Sequence, residues 1–295
     1  MPRFLVTGGN KGIGLAVVEA LAAARPDATV LLGARSAARG AAAVAALVAA
    51  HPSFAGRVAA IELDVTSDAS VAAAAAAAGA LDGLVCNAGV AAAAARDGLE
   101  TNLFGVKRCV DGFARAPGAA IVLVSSGVGP MFVAKCAGAA RALLASGGAP
   151  PHDPWSALDG AAAGFLAALA AREGGDGGAA LAAAGFPADA DGAYGASKAL
   201  LNVYAAQLAR AGVRAAACSP GFIATDLVRA FIVGKTPEEA GALPPAASTK
   251  VILRLLLDES VVPGAYYGSD ALRSPIDAYR SPGAPEYAPP PGANA

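Results

Sequence analysis

Short apolar runs rich in β-branched residues alternate with longer alanine-rich stretches of helical character through the first half of the chain. This alternation limits the fold more than any other feature. The runs are Arg3 to Thr7, Thr29 to Gly33, Arg57 to Leu63, Gly83 to Cys86 and Ala120 to Val124, with Val213 to Cys218 and Ala265 to Tyr267 further on. Each is nearly continuous in apolar residues, as a strand must be when helices cover both its faces. The pattern predicts an α/β architecture, a parallel sheet of seven strands joined by crossover helices. At 295 residues the chain is long enough to bury a substantial core.

Two regions break the rhythm. Residues 127–193 hold no strand-like run and include a glycine-rich stretch from Arg172 to Ala179, so they read as a helical insertion within a single domain of residues 1–283. Residues 284–295 are rich in proline and predict a disordered or extended tail. Thr236-Pro237-Glu238-Glu239 has Thr, Pro and Glu where a helix start wants them, as cap, first residue and third residue.

Composition removes several classes of function. A formal net charge of −1 leaves no basic footprint for nucleic acid and no polybasic face for anionic lipid. The chain is 56% hydrophobic, but alanine supplies much of that, and its longest apolar run, Val71 to Leu81, is mostly alanine and includes a glycine. No membrane span is expected. Cys86, Cys109, Cys136 and Cys218 show no C-x-x-C spacing and follow no secretory leader, which predicts reduced thiols and a cytoplasmic protein. The two histidines, His51 and His152, are far apart, and no metal site is expected.

The first run passes into Gly8-Gly9-Asn10-Lys11-Gly12-Ile13-Gly14 and then a helical pattern through Leu15, Val18 and Leu21. Such a turn brings backbone amides and a helix N-terminus up to a pyrophosphate without interference from Cβ atoms. The spacing is G-x-x-x-G-x-G, so a plain glycine turn remains the alternative. The second run ends in Ala34 and Arg35, where an NAD site would place a carboxylate for the ribose hydroxyl, and Lys11 lies in the glycine turn. Two cations suit a 2′-phosphate, which favours NADPH unless both are solvated surface charges. Asp64 and Val65 end the third run, where a carboxylate can accept from an adenine amino group. Asn87-Ala88-Gly89 ends the fourth, where small residues admit backbone to a cofactor.

Tyr194 and Lys198 stand one helical turn apart directly after the insertion, a spacing that arises by chance roughly 0.1 times in a chain of this composition. Taken in order, TGGNKGIG from Thr7, LDV from Leu63, NAG from Asn87, Thr101-Asn102, VSS from Val124, YGASK from Tyr194 and PGFIATD from Pro220 resemble the short-chain dehydrogenase/reductase family. The resemblance spans residues 3 to about 270 and implies a doubly wound Rossmann fold. More narrowly, the chain is similar to the monomeric carbonyl reductase branch, through the wording of the glycine turn, the long insertion and TPEEAG after PGFIATD. That likeness implies a monomer in which the insertion forms a lid over the substrate pocket. One departure is Cys86, where many relatives have asparagine.

The resemblance implies a catalytic set of Asn102, Ser126, Tyr194 and Lys198. Reducing a carbonyl needs a hydride on carbon and a proton on oxygen, and the nicotinamide carries the hydride. Tyr194 would donate the proton, with the Lys198 ammonium lowering its phenol pKa and also reaching the cofactor ribose. Ser126 would orient the substrate oxygen, with Ser125 as the alternative. Asn102 would hold a water that passes protons to Lys198, or else would satisfy backbone groups. Pro220, Gly221, Ile223 and Thr225 would lie against the nicotinamide. The implied activity is NADPH-dependent reduction of a small apolar ketone, aldehyde or quinone, with the pocket lined by the insertion and by Phe231, Ile232 and Val233. A non-catalytic NADPH-binding regulator, or an enzyme oxidising a secondary alcohol, would use the same binding residues.

Overall fold

Strand β1, Arg3–Thr7, enters the glycine turn and helix α1, Gly12–Ala24, as the apolar pattern requires. A computed structural model describes residues 1–91, 94–146, 154–190, 192–229, 232 and 234–289. The alternation then continues through β2 (Thr29–Ala34), α2 (Ala37–Ala50), β3 (Val58–Glu62), α3 (Asp68–Ala78) and β4 (Leu81–Cys86). After the short α4 (Ala95–Leu99) and α5 (Gly105–Gly112) comes β5, Arg115–Val124. Local chemistry sets the helix starts: Ser36 accepts from the Arg39 amide ahead of α2, and Ser67 from the Ser70 amide ahead of α3. Gly79 closes α3 at φ 68°, a conformation that favours glycine.

The later half begins with α6 (Val128–Lys135), α7 (Gly138–Ala145), α8 (Pro154–Ala171) and α9 (Ala179–Ala183). No strand occurs among the described residues of this stretch. Then follow α10 (Tyr194–Arg210), β6 (Arg214–Cys218), α11 (Asp226–Arg229), α12 (Thr249–Leu257), β7 (Tyr266–Tyr267) and β8 (Arg273–Ser274). No helix among the described residues is long and apolar enough to cross a membrane.

The chain falls into two compact units, one of residues 1–89, 104–124 and 220–261, the other of residues 90–103, 125–219 and 262–295. In the first unit the strands run in the order β3-β2-β1-β4-β5, all parallel. The order reverses between β1 and β4, which is where open sheets of this kind take a ligand, beyond the carboxyl ends of the strands. Gly83 permits the close packing of β4: a Cβ there would lie 2.6 Å from the Phe4 ring and 2.7 Å from Leu256. In the second unit β6 pairs parallel with β7, and β7 antiparallel with β8. The fold is the α/β Rossmann type, a central parallel sheet flanked by helices.

Four details differ from the pattern in the sequence. Among the described residues there are eight strands, not seven, because the two-residue β8 carries no periodicity that a sequence could reveal. Strand β5 starts earlier than its apolar run, since its register with β4 shifts between Leu81 and Gly83 and the flanking residues still pair. The Thr236 box forms, with the Thr236 amide donating to Glu239 Oε2 at 2.7 Å and the Glu239 amide to Thr236 Oγ1 at 3.2 Å. It closes only one turn rather than starting a helix, and Gly241 at φ 83° ends it. Of the segment read as a tail, residues to 289 are described: Tyr287 donates its amide to Arg273 O at 3.0 Å, and Glu286 accepts from the Arg273 amide.

Within the second unit, α10 is buried without a break from Ala196 to Leu208. A helix buried all round needs neighbours on every side. The Trp155 ring of α8 meets Tyr204 edge-on at 5.2 Å, and α6 approaches so closely that a Cβ on Gly129 would sit 3.0 Å from the Lys198 backbone. Phe132, Phe165 and Phe186 pack together, with ring centroids 5.2 Å apart for the last two.

Candidate active site

In the first unit, the reversal of strand order is stitched by Thr7. Its Oγ1 accepts from the amides of Asn87 at 3.0 Å and Ala88 at 2.9 Å, while Asn87 Nδ2 donates to the carbonyls of Thr7 and Gly8. Gly89 follows at the end of this segment. Gly8 and Gly12 hold φ values of 64° and 55°, conformations that suit glycine. Gly14 is required by closeness instead: a Cβ there would lie 2.3 Å from Gly8 O and 2.6 Å from Asn87 Nδ2. Lys11 gives no side-chain cap to α1. Asn10 and Ile13 are half-buried on the same turn. A cradle of tight glycine backbone at a helix N-terminus fits a pyrophosphate.

Arg35 is exposed at the end of β2, and its charge helps hold the neighbouring Asp64 below the ordinary carboxylate range. Burial opposes that shift, but hydrogen bonds from the amide and hydroxyl of Thr66 join Arg35 in outweighing it. Val65 beside it is buried. Lys11, by contrast, pairs with Asp226 at 2.7 Å. Asp226 lies in the PGFIATD segment, a distant partner that the sequence reading did not foresee. Both groups of that pair are largely exposed, which makes it weak and easily exchanged. The same segment touches the glycine turn again, since a Cβ on Gly12 would meet Thr225 Cγ2 at 3.2 Å. Pro220 leads into Gly221 at φ 101°, and Ile223 bridges to Leu243.

The catalytic candidates gather in the second unit. Ser126 hydrogen-bonds the Tyr194 phenol through its side chain, and Lys198 Nζ lies 5.7 Å from the centre of the Tyr194 ring. Ser125 does other work, donating its hydroxyl to the Lys198 carbonyl at 3.1 Å. Of the two serines, Ser126 is therefore the one that faces the phenol. Asn102 is fully buried, and its amide accepts from Val90 N at 2.8 Å and donates to Val90 O at 2.9 Å and Ser197 Oγ at 3.1 Å. Ser197 in turn donates to the Tyr194 carbonyl. Thus the Asn102 side chain satisfies backbone and ties the chain at Val90 to the first turn of α10. Phe231, Val233 and His152 lie outside the described residues, while Ile232 is half-buried.

The acidities correct one expectation. Burial pushes the Tyr194 phenol above its ordinary value, and the Ser126 hydrogen bond only partly offsets this. The lysine bears the larger visible change: burial drives Lys198 down to about 8, with the Cys218 thiol opposing the shift. Cys218 itself is pushed up to about 12 by burial, so it is an inert packing residue. Because the native value of Lys198 is depressed, the unfolded chain still holds that proton between pH 8 and 10.5, where the native chain has released it. Native stability therefore rises with pH across this window, and the burial penalty is largest below pH 8. Between pH 7.5 and 9.5, wild type should gain about 2 kcal/mol relative to Lys198→Met in urea unfolding. A parallel pH response in the two proteins would contradict the assignment.

Comparison with known proteins agrees with the fold. Residues 3–141 match the family model described as short chain dehydrogenase. Salutaridine reductase from Papaver somniferum is similar in structure, with a TM-score of 0.72 at 23% identity over 90% of this chain and 99% of that one. Menthone neomenthol reductase from Mentha piperita gives 0.68 at 22% over 91% and 98%. An alcohol dehydrogenase from the archaeon Thermococcus sibiricus, complexed with 5-hydroxy-NADP, gives 0.58 at 21% over 97% and 100%. No curated protein matches the chain. Residues 3–141 thus carry the short chain dehydrogenase pattern, and the chain has the fold of these solved proteins.

Proposed function

We propose that the protein is a monomeric, cytoplasmic, NADPH-dependent carbonyl reductase that converts ketones, aldehydes or quinones to alcohols. The observation that carries this reading is the Ser126 to Tyr194 hydrogen bond with Lys198 Nζ 5.7 Å from the tyrosine ring. NADPH, when bound, supplies the hydride. The glycine turn from Gly8 to Gly14, Arg35, Asp64 and Val65, the Asn87-Ala88-Gly89 segment and the loop from Pro220 to Thr225 would hold it. The ribose hydroxyls would fall to Tyr194 and Lys198.

Ser126 orients the carbonyl oxygen by hydrogen bonding, and Tyr194 gives its proton to that oxygen. Lys198 is charged below about pH 8, and as a cation it stabilises the phenolate that remains. A phenol raised above its ordinary value is protonated at neutral pH, which suits reduction better than oxidation. Asn102 fixes Tyr194 in place through Ser197 and Val90, and any relay through it uses atoms other than its engaged amide. Two features support a monomer with a lid: α10 is covered by helices of its own chain, and the insertion supplies much of that cover.

The test is NADPH consumption and alcohol formation across a panel of ketones, aldehydes and quinones. Tight NADPH binding with no consumption by any of them would point instead to a regulatory nucleotide binder. Cofactor choice is tested at Arg35. Arg35→Ser should lower kcat/KM for NADPH by about 10- to 100-fold, the worth of a charge-assisted phosphate contact, and leave NADH nearly unaffected. An unchanged ratio between the two cofactors would remove Arg35 from the phosphate site.

A further inference from the structure

We propose that Tyr279 is the substrate-recognition wall of this site, and that it selects carbonyl compounds bearing a flat aryl group beside the carbonyl carbon. The inference rests on the reductase reading and names its substrate class. Gly127 directly follows Ser126, and the Tyr279 ring lies against it: a Cβ on Gly127 would come within 2.8 Å of Tyr279 Cε2 and 3.2 Å of Cδ2. A side chain at this position would displace the ring. The aromatic face thus stands one residue from the hydroxyl that would hold the carbonyl oxygen.

The ring does not belong to the core, because 48% of Tyr279 is exposed. Its mount is nonetheless rigid. On one side Asp277 pairs with Arg141 at 3.3 Å. On the other, the nearly buried Arg280 pairs with Asp270, donates from Nε to Ser274 Oγ at 2.9 Å and from Nη1 to Ala284 O at 2.6 Å. The Gly127 backbone is fixed as well, donating its amide to Ser219 Oγ at 3.1 Å, and Ser219 is hydrogen-bonded to the buried Tyr266 phenol. An exposed aromatic flanked by these ion pairs and lying against Gly127 is a surface for another ring to pack on.

The neighbouring exposed side chains agree in chemistry. Val128 and Met131 begin α6 immediately after Gly127, one helical turn apart, and expose 41% and 44% of their area. With Tyr279 they give three exposed apolar side chains close to Ser126 in the chain or against its neighbour Gly127. An aryl group gains both its buried area and the ring-ring geometry there, whereas a short alkyl group gains little of either.

The experiment compares wild type, Tyr279→Ala and Tyr279→Phe with propiophenone and 2-butanone, and measures propiophenone binding by calorimetry with NADP+ present. In the alanine variant the ratio of kcat/KM for propiophenone over 2-butanone should fall about tenfold, mainly through KM, with propiophenone binding weakened to match. Phenylalanine should restore both, because the ring and not the hydroxyl makes the contact. An unchanged ratio in the alanine variant overturns the proposal, as does an equal loss on both substrates with a lowered melting temperature. If wild type binds propiophenone and alanine weakens that binding, but no carbonyl consumes NADPH, the recognition wall stands and the reductase reading fails. Failure of wild type to bind propiophenone overturns the wall itself.

Discussion

If the protein reduces carbonyls as proposed, Tyr194→Phe should lower kcat by about 10³-fold or more, with NADPH still bound and the melting temperature hardly changed. The ring keeps its volume and its place at the start of α10, so packing is preserved. What disappears is the hydroxyl that hydrogen-bonds with Ser126. General acids of this kind contribute about 10²- to 10⁴-fold, and burial has kept this phenol in its protonated form. Stopped-flow or steady-state NADPH oxidation reads the loss, and cofactor fluorescence confirms binding. Equal rates in the two proteins would show that another group delivers the proton.

The second large effect is structural, at the glycine turn. A Cβ on Gly14 would stand 2.3 Å from Gly8 O and 2.6 Å from Asn87 Nδ2, so Gly14→Ala must push α1 away from the ends of β1 and β4. The Asn87 to Thr7 hydrogen bonds lie in the path of that movement. Roughly 3 kcal/mol of stability should be lost, as for overpacking in a filled core, and NADPH affinity should fall at least tenfold. Gly160→Ala is the matched control, since no atom lies within 4 Å of the added methyl and α8 gains a better helix former. Unfolding midpoints and NADPH titration check both variants. A Gly14→Ala protein as stable and as tightly binding as wild type would remove the cradle from the account.

The parts of this molecule that a sequence reveals are those fixed by local or periodic signals. All seven apolar runs became strands, although the edge strand β3 leaves Ala59, Ala60 and Glu62 exposed. The order of motifs located Tyr194, Lys198 and Ser126, and the helix spacing put the first two on one face of α10. Contacts between distant segments were invisible: the Lys11 pairing with Asp226, the Asn102 tie to Ser197, and the approach of Tyr279 to Gly127. Nothing in the spacing of those residues announces a meeting. The direction of the Tyr194 shift also escaped, because a charge one turn away is legible in sequence while the degree of burial is not. Here burial is the larger effect on both Tyr194 and Lys198. The Thr236 box shows the converse: correct local chemistry, yet Gly241 stops the helix after one turn.

One incubation probes the heart of the proposal: protein, an aryl ketone, and NADPH deuterated at both C4 positions, with the alcohol examined by mass spectrometry. The account predicts an alcohol one mass unit heavier, labelled at the carbinol carbon, formed by wild type and lost with Tyr194→Phe. Unlabelled alcohol, or none from any carbonyl while NADPH stays tightly bound, would contradict it.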